Sequence, residues 1–371
     1  MSGIYIHIPF CKQACHYCNF HFSTSLRKKP ALINAICKEI QLAATQKLLE
    51  TGNIDTVYFG GGTPSLMDIE EIEQILAALN TNFNIIPQAE ITLEANPDDI
   101  SEQKLTAWKK MGINRLSIGI QSFFEEDLRW MNRAHNADQA INCLQMATQF
   151  FDNITIDLIY GVPGLTNDKW KQNVNIAIDL GVPHLSCYAL TVEPKTPLDK
   201  LIKTHKKENV DEEKQSEQFL LLMKWLAEAG YEHYEISNFA KPGFRSRHNS
   251  SYWKGESYLG LGPAAHSFNG AERWWNVANN QKYIDAISEG IIPFEKEELT
   301  AVQKLNEYLM ISLRTIEGID LKRIGESYLY DLLQKAEKHI FNKSIIKAEN
   351  FLKLTDTGKL YADGIAADLF F

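Results

Sequence analysis

Cys11, Cys15 and Cys18 fall within eight residues in the spacing C-x3-C-x2-C, inside the stretch IYIHIPFCKQACHYCNFHF at residues 4–22. Three thiolates so close can wrap one compact metal centre, and the choice lies between zinc and an iron–sulfur cluster. A structural zinc site needs four ligands, usually two knuckles well apart in sequence, whereas this chain has one knuckle and no second C-x2-C. Iron–sulfur clusters are held by closely spaced thiolates, and a four-iron cluster with three of them keeps one iron open to an outside ligand. Two other readings stand beside this one. His16 or His21 could complete a zinc site, or the thiols could be buried structural groups behaving as small hydrophobes. The polar and aromatic content of the stretch, and its lack of a core period, weigh against the last.

The residues before the cysteines say how they are positioned. Ile4, Ile6 and Ile8 alternate with Tyr5 and His7, the period of a strand, and Pro9 ends it because proline cannot donate to a sheet ladder. The cysteines therefore lie on a loop leaving a strand's carboxyl end. Strand-like runs at 4–8, 56–59, 90–94, 115–120, 154–159 and 184–190 alternate with amphipathic segments at 31–49, 68–80, 101–111, 137–150 and 167–180. That alternation predicts an α/β fold with a parallel sheet and crossover helices, in six β/α units rather than the eight of a full barrel.

Ligands of such barrels gather at the carboxyl ends of the strands. The second strand runs into Gly60, Gly61, Gly62 and Thr63, where the backbone can approach a ligand without Cβ interference and offer carbonyls to an ammonium group. A phosphate cradle competes with that reading, but no Gly-Lys-Ser/Thr follows. The third strand ends in Glu94-Ala95-Asn96-Pro97-Asp98, whose proline-marked turn can fix the Glu94 carboxylate near the mouth to accept from two ribose hydroxyls. A solvated surface glutamate is its alternative. Gln121 stands at the exit of the fourth strand, and Arg133 is expected in a short helical segment. Asp157 lies in the apolar fifth strand, where a carboxylate is costly to bury unless paired, so it faces a ligand or an ion pair.

The C-x3-C-x2-C motif, the glycine run and these strand ends together resemble the radical S-adenosylmethionine superfamily, and within it the oxygen-independent coproporphyrinogen III oxidase group, over nearly the whole chain. The resemblance implies an incomplete (β/α)6 radical-SAM barrel with a 4Fe-4S cluster on Cys11, Cys15 and Cys18. The amino and carboxylate groups of S-adenosylmethionine would chelate the open iron, and electron transfer into its sulfonium can release a deoxyadenosyl radical. It further implies that Gly60, Gly61, Gly62 and Thr63 hold the methionyl amino group while Tyr5, Tyr17, Glu94, Gln121, Arg133 and Asp157 line the cofactor pocket. A flavodoxin or ferredoxin is the kind of electron donor such a cluster would take.

Two departures bear on the subfamily. The oxidases extend the motif to C-x3-C-x2-C-x-C, and Phe20 stands where the last cysteine would be. The stretch His248-Asn249-Ser250-Ser251-Tyr252-Trp253 is similar to the H-N-x-x-Y-W pattern of the HemW-like haem-chaperone branch, as are Leu190-Thr191-Val192-Glu193-Pro194 and the glycine-rich run ending at His266. A histidine as axial ligand with aromatics against the macrocycle suits haem. His248 is then the expected ligand and His266 its rival, although the stretch alone also reads as a polar turn running into a packed aromatic pair. The resulting reading is a haem chaperone that binds cluster, S-adenosylmethionine and haem and passes haem to an acceptor protein. Its alternative is oxidative decarboxylation of coproporphyrinogen III, an activity the missing cysteine argues against.

Length and composition set outer limits. With 371 residues, 44% of them hydrophobic, the chain can hold one large α/β domain and a smaller one. Residues 1–235 are assigned to the partial barrel and 236–295 to an extension carrying the H-N-x-x-Y-W motif; 296–371 form a C-terminal α+β winged-helix-like domain with helices at 301–315 and 321–330. Between barrel and motif, 203–218 reads as an exposed helix start, 219–229 as a helix stopped by Gly230, and 231–239 as a strand. A net charge of −9 without a long basic run argues against nucleic acid as partner, so the winged-helix-like part is expected to dock protein or support the structure. Six cysteines in a chain this size do not read as a disulfide framework, and Cys37, Cys143 and Cys187 lie in apolar surroundings as core residues. With neither a signal-peptide pattern nor an apolar run of membrane-spanning length, a cytoplasmic location is expected.

Overall fold

The computed structural model describes residues 2–49 and 52–371. Its centre is a run of six parallel strands, β1 (Gly3–Ile8), β2 (Ile54–Gly61), β3 (Ile85–Ala95), β4 (Arg115–Gln121), β5 (Ile154–Tyr160) and β6 (His184–Ala189), paired in that order. The crossovers carry α1 (Lys29–Thr45), α2 (Ile69–Asn82), α3 (Glu102–Lys110), α4 (Glu125–Met131), α5 (Ala137–Phe150) and α6 (Asn167–Asp179). Capping boxes at Asp68/Glu71 and Asn136/Gln139 fix the starts of α2 and α5 by satisfying backbone N–H groups reciprocally.

The period-two alternation decides what each strand face does. Ile4, Ile6 and Ile8, Leu116, Ile118 and Ile120, and Ile156 and Leu158 pack into the core against the helices. The intervening Tyr5, Ser117, Gly119, Gln121 and Asp157 line a cavity on the inner face. The barrel interior is therefore a polar cavity rather than the stacked aliphatic layers of a full eight-stranded barrel.

After α7 (Pro197–Lys203) and α8 (Glu212–Glu228), β7 (Glu232–Glu235) and β8 (Asn238–Ala240) form a hairpin where one strand was expected. The Glu235 carboxylate turns the chain there, accepting from the Ser237 N–H at 3.0 Å and Asn238 Nδ2 at 2.6 Å. The α9 helix (Arg247–Trp253) follows, then β9 (Tyr258–Leu261), β10 (His266–Phe268), β11 (Glu272–Asn276), α10 (Asn280–Ser288) and β12 (Phe294–Glu298). β9 pairs parallel to β1, so one twelve-stranded open sheet runs β12-β11-β10-β9-β1-β2-β3-β4-β5-β6-β8-β7. Leu259, Leu261, Trp274, Tyr283 and Ile287, from the segment expected as an extension, are buried in the same core as the barrel.

A second core spans Leu309 to Leu369. It is built by α11 (Ala301–Leu313), β13 (Ile319–Asp320), α12 (Glu326–Phe341), β14 (Ile345–Ala348), β15 (Phe351–Leu354), α13 (Asp356–Lys359) and α14 (Ala362–Leu369), with helix–strand–helix–hairpin order as in a winged helix. The helix expected at 321–330 breaks into a 3-10 turn at Leu321–Arg323 and, after Gly325, the start of α12. Arg314 ties this unit to the β7–β8 hairpin through Glu235 at 3.1 Å. No helix among the described residues is long and apolar enough to cross a membrane.

Candidate cluster and cofactor site

The cysteine loop leaves β1 and is stitched back to it: the Ser23 N–H donates to Pro9 O at 2.8 Å and the Cys11 N–H to Ser23 O at 3.1 Å. Its far side is fastened to the turn after α4, where the His16 N–H donates to Met131 O at 3.1 Å and Asn132 Nδ2 to Ala14 O at 2.8 Å. Within this frame Cys11, Cys15 and Cys18 line one cavity of about 590 Å³ together with Tyr5, Tyr17, Gly61, Gly62, Thr63, Glu94, Gln121, Arg133 and Asp157. Burial pushes the Cys11 thiol up to about 11. His16 and His21, the alternative fourth ligands, are engaged elsewhere: His16 Nδ1 lies 3.2 Å from Trp130 O and His21 Nε2 2.7 Å from Asn280 Oδ1. Cys143 and Cys187 are buried in the core and Cys37 packs against it.

Arg133 organises the wall. It sits in the loop between α4 and α5, not in the expected helical segment, because Asn132 adopts a left-handed φ of 59° and ends α4. One guanidinium nitrogen donates to Asn96 Oδ1 at 2.8 Å and Gly119 O at 2.9 Å; the other lies 3.3 Å from both Cys15 Sγ and the Tyr17 hydroxyl. Its buried Nε has no partner among the described residues, an N–H left for a ligand. Thr63 Oγ1 stands 3.6 Å from Cys11 Sγ and takes a 3.3 Å bond from Asn96 Nδ2. Gly61 holds φ +107° with its α-carbon against the His7 ring, so no side chain fits there. Gln121 takes a left-handed φ of 66° where β4 enters the cavity, the kind of strained position that clusters at ligand sites.

Two carboxylates face the same space. Tyr58 donates to Glu94 Oε1 at 2.8 Å. Burial, with Asp157 nearby, raises Glu94 to about 7. Burial likewise raises Asp157 to about 7 against the pull of Arg133. Carboxyls held this way gain from donors brought by a ligand, such as ribose hydroxyls or an ammonium group. The donor set thus fits a cluster with S-adenosylmethionine: three thiols, an unpaired guanidinium N–H, side-chain-free backbone and two acceptors in one cavity. Gly60 packs behind the loop against Tyr5, Tyr58 and Glu94. Asn96 and Tyr188 also line the cavity though not foreseen; each lies two residues along its strand direction from a polar position, Glu94 and Ser186, and the strand period marks them.

The two histidines expected for haem lie apart from this cavity and from each other. His248 is buried on α9 beneath the amino ends of β1 and β2. Its Nδ1 meets Thr56 Oγ1 and its Nε2 the Tyr252 hydroxyl, both at 2.8 Å, and its ring stacks on Tyr58 at 5.0 Å. Glu90 accepts its backbone N–H at 2.9 Å. Both of its ring nitrogens are engaged, and burial lowers its pKa to about 3, so it is held as a neutral imidazole. His266 is exposed at the start of β10, its ring 6.0 Å from that of Trp275.

The family model of the Radical SAM superfamily matches residues 5–177. The heme chaperone HemW of Bacillus subtilis (strain 168) is 34% identical over 376 residues, covering 98% of this chain and 98% of that protein. The chain belongs to the HemW haem chaperone family. HemW of Mycobacterium tuberculosis (strain ATCC 25618 / H37Rv) is 32% identical, covering 99% of this chain and 94% of its own length. Among solved structures, coproporphyrinogen III oxidase (HemN) from Escherichia coli superposes with a TM-score of 0.86 at 22% identity, covering 100% of this chain and 90% of that one. That likeness shows the fold, a radical-SAM partial barrel with a C-terminal domain, and the HemW relatives place the chain within it.

Proposed function

We propose that this protein is a haem chaperone: Cys11, Cys15 and Cys18 hold a 4Fe-4S cluster, the cavity beside them takes S-adenosylmethionine, and haem is bound for delivery to an acceptor protein. Full-length similarity to the HemW chaperones carries this reading. The cysteine loop adds to it, because Phe20, at the position of the oxidases' further cysteine, is 67% exposed at the cavity mouth and offers no ligand there. Cys11, Cys15 and Cys18 would hold the cluster, which, once reduced by a donor, would supply an electron to S-adenosylmethionine in the adjoining cavity. In this reading Arg133 and Thr63 orient the thiolates at Cys15 and Cys11, Glu94 accepts from the ribose hydroxyls, and the glycine turn takes the amino end of the cofactor, with Asp157 lining the same cavity. The test is anaerobic reconstitution, titration with haem, and incubation with coproporphyrinogen III, S-adenosylmethionine and a reductant. About one haem per chain and no divinyl product are expected; turnover that depends on the three cysteines would replace the chaperone by the oxidase.

A further inference from the structure

Charge is unevenly placed about the cysteine loop. Residues 11–29, which carry Cys11, Cys15 and Cys18, hold Lys12, Arg27, Lys28 and Lys29 and no carboxylate. Residues 193–208, which follow β6 and include α7, hold Lys195, Lys200, Lys203, Lys206 and Lys207 against Glu193, Asp199 and Glu208. Both segments reach one mouth, since Asn19, Phe20 and Phe22 line the cavity together with Leu190, Thr191 and Glu193. In a chain of net charge −9 this is a local reversal of sign.

The α7 helix is fastened to the cysteine loop. At its first turn the Leu198 N–H donates to His16 O at 2.8 Å, and the Leu198 side chain is buried. Lys207, just beyond the helix, donates to Trp130 O and lies 4.2 Å from the centre of that ring, and His16 Nδ1 meets the same carbonyl at 3.2 Å. The outer side of this segment is left to cations. Lys203 pairs with Asp199 at 2.9 Å, Lys12 with Asp98, and Lys29 with Glu71. Lys195, Lys200 and Lys206 are exposed and have no ion-pair partner among the described residues, and the same holds for Arg27 and Lys28. Unpaired surface cations set up a field that a paired mixture of charges does not. Phe20, two residues past Cys18, adds an exposed apolar ring on the cysteine loop itself, so the face has both the apolar and the charged parts of a docking surface.

We propose that this face docks a small one-electron carrier protein whose redox group lies beneath a carboxylate-rich surface, with Lys195, Lys200 and Lys206 as its charged contacts and Phe20 as its apolar one. This rests on the cluster assigned to Cys11, Cys15 and Cys18 and names the surface through which that cluster is reduced. The electron has to enter from outside, because the chain has no second group of closely spaced cysteines to relay it. The cysteine loop offers the shortest way in, and α7 is bonded to that loop. The negative remainder of the chain repels an acidic carrier, so the charge distribution that attracts it here also discourages docking elsewhere. In the step the carrier is oxidised by one electron and the cluster reduced by one; no covalent bond forms or breaks and no proton is transferred.

The probe is a flavodoxin of net negative charge, reduced to its hydroquinone and mixed anaerobically with the reconstituted full chain. Stopped-flow absorbance follows cluster reduction, and the affinity of the oxidised flavodoxin is measured separately on the chain before reconstitution. The second-order rate for wild type should fall at least about tenfold between about 0.05 M and about 0.5 M salt. The double charge reversal K200E/K206E should lower that rate about tenfold at low salt and weaken binding to the cluster-free chain in parallel. K322E/K347E, which reverses two exposed charges of the C-terminal unit, should leave both near wild type. Photoreduced deazaflavin, a small reductant that needs no docking, should reduce all three clusters at one rate. Equal flavodoxin rates for K200E/K206E and wild type at low salt, or an equal loss in K322E/K347E, overturns this face and leaves the cluster reading standing. A wild-type chain that assembles no cluster overturns the cluster reading and the donor face with it.

Discussion

The two ends of the barrel carry histidines of opposite character. At the amino ends of the strands, His248 is enclosed by Thr56, Tyr58 and Tyr252, with Glu90 holding its backbone. Toward the carboxyl ends, His266 stands open beside a groove. The difference follows from where each motif lands. A short polar helix under the sheet plugs the barrel bottom, where side chains serve stability, whereas residues at strand carboxyl ends face ligands. The His248 ring stacks on Tyr58, which in turn donates to the Glu94 carboxylate, so the two ends of the barrel are joined through one aromatic contact.

The sharpest way to break this division is at the cysteines. Cys11→Ala, Cys15→Ala and Cys18→Ala should each abolish the iron and sulfide bound after anaerobic reconstitution, because each thiolate supplies one iron's protein ligand. Cys143→Ala and Cys187→Ala should retain the cluster and lose only stability, about 1–3 kcal/mol for small buried side chains. Full cluster content in all three mouth variants would dissolve the functional reading of this end.

Next in size is the contrast between the histidines. His248→Ala removes two buried hydrogen bonds and a stacked ring, and strands the Thr56 and Tyr252 hydroxyls, so urea unfolding should show a loss of about 2–4 kcal/mol. His266→Ala, at an exposed position, should stay within about 0.5 kcal/mol of wild type. Comparable losses in both variants would mean that bottom and top do not differ in kind.

Much of this was legible in the sequence, for physical reasons. The strand period and the placement of the cysteine loop are local, and hydrophobic alternation in 4–8, 115–120 and 154–159 reports directly which side chains face the cavity. What escaped was long-range. The parallel pairing of β9 with β1 joins residues some 250 apart, and nothing in the glycine-rich run announces it. Glu39 reads as one more helix carboxylate until α1 packs it beneath Gly262 and Tyr283. Arg133 was named by resemblance, and the helical segment expected around it is a loop because Asn132 takes the left-handed conformation that ends α4. The surroundings of His248 were not legible because its partners, Thr56 and Glu90, come from distant strands.

The smallest expected effect tests the electrostatics of the mouth. Glu94 titrates near 7 in the folded chain because burial and Asp157 oppose its charge, against 4.5 ordinarily. Between those values the folded chain holds a proton that the unfolded chain has released, so protons bound are fewer in the unfolded state and stability falls as pH rises through the window, levelling above it. Glu94→Gln cannot titrate there. The stability of the variant relative to wild type, without cofactor, should therefore climb from about pH 4.5 to about pH 7 and then stay flat, with the oppositely directed contributions of buried histidines such as His248 cancelling in the difference. Binding should move the other way: the amide is a weaker acceptor than the carboxylate, and Glu94→Gln should weaken S-adenosylmethionine by about 1.5–3 kcal/mol while cluster content is unchanged. A pH-independent stability difference together with unaltered affinity in a titration on the reconstituted variant would remove Glu94 from the site and leave it a wall residue held by Tyr58.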